Sequence, residues 1–187
     1  MRNHFKTLLL LVSMGLMSLT VLSPAQAVET TRDPSQYFFQ ESFWDFTEEL
    51  ETAREQGKKG IVIFFELTEC PFCHWMKQNV LNQIPVQDYY RENFRVFRLD
   101  IEGDVEIVDF QGNDTTMKAF ANKVRVRATP VIGFFDLDGK MVQRYTGKTT
   151  DFKEFIWLAE FVAAKQYQQT KFTRYKRARR KEERKKR

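Results

Sequence analysis

Residues 61–65 (Ile-Val-Ile-Phe-Phe) run without a polar interruption, the pattern of a strand buried on both faces of a sheet. Behind this run Met76, Val80 and Ile84 recur at helical spacing with Cys73 on the same inward face. They predict a helix that starts at Cys70, carries Pro71 at its first position and is ended by Pro85. Upstream, Ser42 is an N-cap candidate with Asp45 three residues on, and Phe43, Phe46 and Leu50 line one face of a helix that Gly57 stops. Downstream, residues 86–92 read as a further turn or two and 94–100 as a strand. Residues 101–113 are acidic and read as a hairpin or inserted loop turning at Gly112. Asp114 or Thr115 then caps a helix bearing Met117, Phe120 and Val124, and residues 125–129 run extended into Pro130. Residues 131–135 and 141–145 flank Asp138-Gly139 as an antiparallel hairpin. Phe152, Phe155, Ile156, Ala159 and Val162 mark a closing helix within 151–168. The expected order is α, β, α, β, insertion, α, β, β, α.

The 187 residues suffice for one domain with a substantial core, and 18 Phe make that core aromatic. Arg2 and Lys6 precede a mostly apolar segment, residues 8–22, followed by Ala25-Gln26-Ala27: the basic, apolar, small-residue order of a secretory signal. Cleavage is expected after Ala27, because Ser13, Gly15, Ser18 and Thr20 break a run already short for a retained anchor. The division expected is signal peptide 1–27, linker 28–41, folded domain 42–170 and basic tail 171–187. Charge follows that division. The tail holds 11 Lys/Arg against Glu182 and Glu183, net +9, whereas residues 28–170 carry net −6.

Cys70 and Cys73 are the only cysteines. At a helix start, unpaired N–H groups and the positive end of the helix dipole favour a thiolate at Cys70 over a thiol. A second sulfur one turn on can attack a mixed disulfide formed there and release the product. A structural crosslink is the alternative in an exported chain. It is the weaker one, because a bridge enclosing two residues restricts the unfolded chain little. Strand, C-x-x-C and helix in that order form the redox signature of thioredoxin-like proteins.

Residues 42–165 resemble the thioredoxin superfamily, through Cys70-Pro71-Phe72-Cys73 after a buried strand, Arg127-Ala128-Thr129-Pro130 before a second, and Asp138-Gly139-Lys140 with Gly147 beyond. The resemblance implies an α/β thioredoxin-like fold, a central mixed β-sheet flanked by helices, here with a short insertion after the second core strand. It implies that Cys70 attacks and Cys73 resolves, that Pro130 is a cis-proline facing them, and that Thr129 offers backbone hydrogen bonds to an extended substrate. Pro71 and Phe72 would tune the pair. Phe65-Glu66, the stretch 100–112 and the exported character are similar to periplasmic thioredoxins of the sulfur-oxidation (Sox) type. One departure matters: thioredoxins carry a buried Asp six residues before the first cysteine, and Phe64 stands there. Glu66 shares the strand parity of Phe64 and is a candidate to replace it as a proton acceptor; the alternative is a solvated carboxylate at a strand end. Glu69 beside Cys70 would oppose a thiolate if close to it.

The function expected is an exported, periplasmic thiol–disulfide oxidoreductase that reduces disulfides in exported proteins and is served by a membrane or periplasmic redox partner. It needs no bound cofactor. Disulfide oxidase or isomerase chemistry is the second reading. The stretch Cys70 to His74 also fits C-x-x-C-H, the attachment pattern of c-type haem, although the buried strand before it and the strand-rich remainder argue against that class. Structural zinc lacks ligands, since His74 is the only histidine after residue 27. The tail is expected to meet an anionic surface or an acidic partner, or to be a solvated extension; export excludes nucleic acid.

Overall fold

The computed structural model describes residues 30–186. In chain order the elements are α1 (Pro34–Tyr37), α2 (Phe46–Glu55), β1 (Ile61–Glu66), α3 (Pro71–Asn79), α4 (Ile84–Asn93), β2 (Arg95–Asp100), β3 (Glu106–Val108), β4 (Asp114–Thr116), α5 (Met117–Lys123), β5 (Val131–Phe135), β6 (Met141–Thr146), α6 (Phe152–Ala163) and α7 (Phe172–Lys185). The apolar run becomes β1, an inner strand of the mixed sheet β2-β1-β5-β6. It pairs parallel with β2 and antiparallel with β5, and β5 pairs antiparallel with β6.

Strand parity divides the core into two layers. Ile61, Ile63 and Phe65 pack with Phe46 of α2 and Phe120 of α5 on one face; Val62 and Phe64 meet Cys73, Met76, Tyr90 and Phe155 of α3, α4 and α6 on the other. Tyr90 stacks on Phe155 with ring centroids 4.6 Å apart and donates its hydroxyl to the Phe155 carbonyl at 2.9 Å. Complete burial holds the Tyr90 hydroxyl protonated well past its ordinary range. The thioredoxin-like architecture expected from the sequence is therefore the one observed, with helices on both faces of a mixed sheet.

The insertion is a second, two-stranded sheet of β3 and β4, turning through Gly112 at φ +78°. Asp109 holds its turn. This buried carboxylate accepts the N–H groups of Gln111 at 2.8 Å and Asn113 at 3.0 Å, and pairs with the Lys123 ammonium of α5. Burial alone would push its carboxyl up, but these donors outweigh burial and hold it below the usual carboxylate range.

Several boundaries differ from the sequence expectation. Asp45, rather than Ser42, caps α2, accepting from Thr47 N at 2.8 Å and Glu48 N at 3.1 Å. Phe43 precedes the helix and is 98% exposed. Pro85 begins α4 rather than ending α3: proline fits the first turn of a helix, where its missing N–H has no intrahelical acceptor. Thr116, the last residue of β4, caps α5 in place of Asp114 or Thr115, its hydroxyl accepting from Ala119 N at 3.2 Å.

Neither flank of the domain is loose within the described residues. Asp33 caps α1, Phe38 and Phe39 enter the core, and buried Gln87 bonds to both Arg32 and Leu81 through its side chain. Residues 30–41, expected to be a linker, thus close one side of the domain. The basic tail forms α7, whose Phe172 is buried against Phe161 of α6 and Tyr145 of β6. The proposed signal peptide, residues 1–27, lies outside the described residues. Among the described residues, no helix is long and apolar enough to cross a membrane.

Candidate active site

The C-terminal end of β1 gathers three segments. Four residues beyond Glu66 the chain enters α3, with Cys70 as N-cap and Pro71 at the first helical position. The β1–β5 register closes at Phe65 opposite Val131, so Glu66 and Pro130 are the next residues out on adjacent strands. The β5–β6 register pairs Val131 with Thr146, which brings Gly147 and Lys148 to the same end; Gly147 N donates to Pro130 O at 2.9 Å. Lys148 then reaches α3, its ammonium 5.1 Å from the Phe72 ring centroid and 4.7 Å from that of Trp75. Sheet register and the turn into α3 make one surface from residues far apart in sequence.

Cys70 and Cys73 form a disulfide with Cα atoms 5.2 Å apart. The Cys73 N–H lies 3.1 Å from Cys70 Sγ, so the first turn of α3 directs a backbone donor at that sulfur. Cys73 is 1% exposed and faces the core with Met76; Cys70 is 4% exposed. The inward face expected for Cys73 is observed, but Cys70 at the helix start is buried as well in the disulfide state. Phe72, between them in the chain, is 52% exposed.

Glu66 does not stand free in solvent. Its side chain is 14% exposed, and its Oε2, sealed from solvent, lies 2.6 Å from Lys77 Nζ, outside hydrogen-bond geometry. Lys77 is four residues beyond Cys73 on α3, one turn along the same face. Phe64, at the position of the usual buried Asp, is 1% exposed within the cluster that holds both cysteines. Glu66 is a carboxylate of the same strand parity as Phe64, paired with the lysine four residues after Cys73.

The Thr129–Pro130 peptide is cis, as the resemblance implied. Pro130 is buried and Thr129 half-buried. The backbone N–H and C=O of Thr129 have no backbone partner among the described residues. His74 sits on the exposed side of α3 with Nε2 2.9 Å from the Thr68 carbonyl. With both sulfurs bonded to each other beneath the surface, the C-x-x-C-H reading as a haem attachment site does not match the geometry.

Sequence reasoning did not single out Lys77, Trp75 or Lys148. Lys77 was recoverable as the cation one turn beyond Cys73. Lys148 was not, because its approach to Phe72 depends on the register between β5 and β6.

Residues 46–163 match the model of the thioredoxin-like domain. No curated protein sequence matches the chain. Among solved structures, a thioredoxin-fold protein from Helicobacter pylori is 24% identical, with a TM-score of 0.54, over 65% of this chain and 82% of that one. A thioredoxin from Thermus thermophilus is 23% identical at a TM-score of 0.51, over 65% and 86% of the two chains. The DsbH oxidoreductase is 18% identical at 0.50, over 74% and 94%. These structures have the same fold. With the family model spanning most of the domain and a C-x-x-C pair at the start of α3, the chain belongs to the thioredoxin-like domain family, homologous to thiol–disulfide oxidoreductases.

Proposed function

We propose that this protein is an exported, periplasmic reductase of protein disulfides. The observation that carries the reading is the placement of Cys70 Sγ at the start of α3, facing the Cys73 N–H, with its partner sulfur one turn deeper. In the dithiol form, the helix terminus and this N–H favour the Cys70 thiolate. The thiolate attacks one sulfur of a substrate disulfide, forming a Cys70–substrate disulfide and expelling the other substrate sulfur as a thiolate. Cys73 then gives up its proton, attacks Cys70 Sγ and expels the second substrate thiolate. Two electrons pass to the substrate, and the Cys70–Cys73 disulfide remains. A dithiol protein on the periplasmic side or in the membrane must return the pair to its reduced form.

Glu66 is the acceptor suited to the Cys73 proton, with Lys77 holding its carboxylate in place. Pro71 and Phe72, between the two cysteines, tune the sulfur pair, while Thr129 and Pro130 form the wall along which an extended substrate segment aligns. Export rests on the signal-like order of residues 1–27. The reductive direction rests on the similarity of Phe65-Glu66 and the insertion to periplasmic thioredoxins of the sulfur-oxidation type.

Two single variants test the chemistry with insulin as the disulfide substrate and dithiothreitol as the electron source. Wild-type protein should accelerate reduction, and both variants should abolish the acceleration. Cys73→Ser should accumulate a mixed disulfide through Cys70, whereas Cys70→Ser should form none. The reverse trapping pattern, or wild-type protein without activity, would overturn the assignment.

A further inference from the structure

Eight of the tail's eleven cations lie within α7, and winding them as a helix divides them between two faces. Phe172 and Tyr175 pack on Phe161, and the cations on their side are engaged by the domain: Lys176 and Arg180 pair with Glu154, and Arg179 pairs with Glu160 while lying over the Trp157 ring. Arg174, Arg177, Lys181 and Arg184 follow one another at intervals of three, four and three residues, the repeat of a single helical stripe, and Lys185 borders it. All are exposed, and none has an ion pair among the described residues. The inner face explains why α7 is folded onto the domain; the outer stripe has no counterpart in the domain.

We propose that this outer face of α7 docks the domain on an anionic phospholipid surface. At 1.5 Å per residue, the 14-residue helix is roughly 21 Å long. A row of cations along that length suits a flat, laterally mobile array of phosphates, each cation within a Debye length of the surface. The stripe has no aromatic or large aliphatic anchor between its cations; Ala178 is the apolar residue beside it. A specific protein interface is organised around such buried anchors, whereas lipid attraction requires only charge. The aromatic residues of α7, Phe172 and Tyr175, pack on the domain, so the helix rests on the headgroups without inserting. Docking would hold the domain beside membrane-borne redox partners.

The test uses the full chain and vesicles of phosphatidylcholine with or without about a third of phosphatidylglycerol; Arg2 and Lys6 also favour anionic lipid, and the quadruple variant below, which keeps residues 1–27, separates their contribution from that of α7. Wild-type protein should gain binding from the anionic lipid, and the gain should fade as salt rises. Each cation near an anionic surface contributes about a fivefold factor, so Arg174→Gln/Arg177→Gln/Lys181→Gln/Arg184→Gln should lose the gain by at least tenfold. Its circular dichroism and insulin reduction should remain at wild-type levels. The pair Arg174→Gln and Lys181→Gln, made singly, should each weaken binding if the quadruple variant misfolds. Equal binding to both vesicle types, or an undiminished gain in a folded quadruple variant, overturns the proposal. Binding by this face to poly-glutamate or to a second copy of the chain, with none to anionic vesicles, assigns it to an acidic protein surface and also overturns it.

Discussion

Ending the chain after Thr170 removes α7, and the structure sets what that should cost. Phe172 is 7% exposed, with its ring centroid 5.5 Å from Phe161 and 6.2 Å from Tyr145. Burying such a side chain contributes about 1.5–3 kcal/mol, and the half-buried Tyr175 adds about 1 kcal/mol. Glu154 loses Lys176 and Arg180, but truncation also uncovers it to water, so its loss of partners costs little. The sum is about 2.5–4 kcal/mol, a large part of a typical domain's stability. For a domain of this size that lowers Tm by roughly 5–15 °C. Urea and thermal unfolding followed by far-UV circular dichroism should show the loss, with insulin reduction retained below the transition because the sulfur pair is untouched. Phe172→Ala should reproduce about 1.5–3 kcal/mol of it, whereas Arg174→Gln, on the outer stripe, should stay within about 0.5 kcal/mol. A truncated chain as stable as the full one would refute the reasoning and make α7 a detached extension.

The pH dependence of stability tests the insertion: Asp109 has its carboxyl held low in the folded state, so its contribution is full above the unfolded carboxylate range and is lost as pH falls through the depressed folded value. Asp109→Asn should therefore be less stable than wild type at neutral pH, with the gap closing in acid-unfolding curves; a gap that persists at low pH would contradict it. At the active site, Glu66→Gln should slow insulin reduction at neutral pH by roughly tenfold or more and recover toward alkaline pH, where hydroxide removes the Cys73 proton. A pH-independent change in rate would mean that Glu66 has a packing role alone.

The elements that were legible in the sequence are those whose burial is one-sided or complete: the apolar run of β1, the Asp138-Gly139 hairpin and the stripe of α6. The sulfur pair was legible because its chemistry needs adjacent residues. Boundaries set by competition between local signals were not. Ser42 and Asp45 are both good caps, and only the packing of Phe46 under the sheet selects the second. Pro85 fits the end of one helix or the start of the next equally well by local rules. The tail hid its amphipathicity because its inner face mixes Phe172 and Tyr175 with cations, and the acidic residues that neutralise those cations lie on α6. Lys148 escaped for a similar reason: it becomes meaningful only when the register of β5 and β6 brings it against Phe72.

The central claim, reductive exchange at Cys70 and Cys73, is tested most directly by the reduction potential of that pair, measured by equilibrating the protein in dithiothreitol or glutathione buffers and quantifying the free thiols by mass after alkylation. A reductase of protein disulfides should titrate as one two-electron couple near the thioredoxin value of about −270 mV. A potential near the value of about −120 mV of a strong disulfide oxidant would contradict the account and make the protein a donor of disulfides.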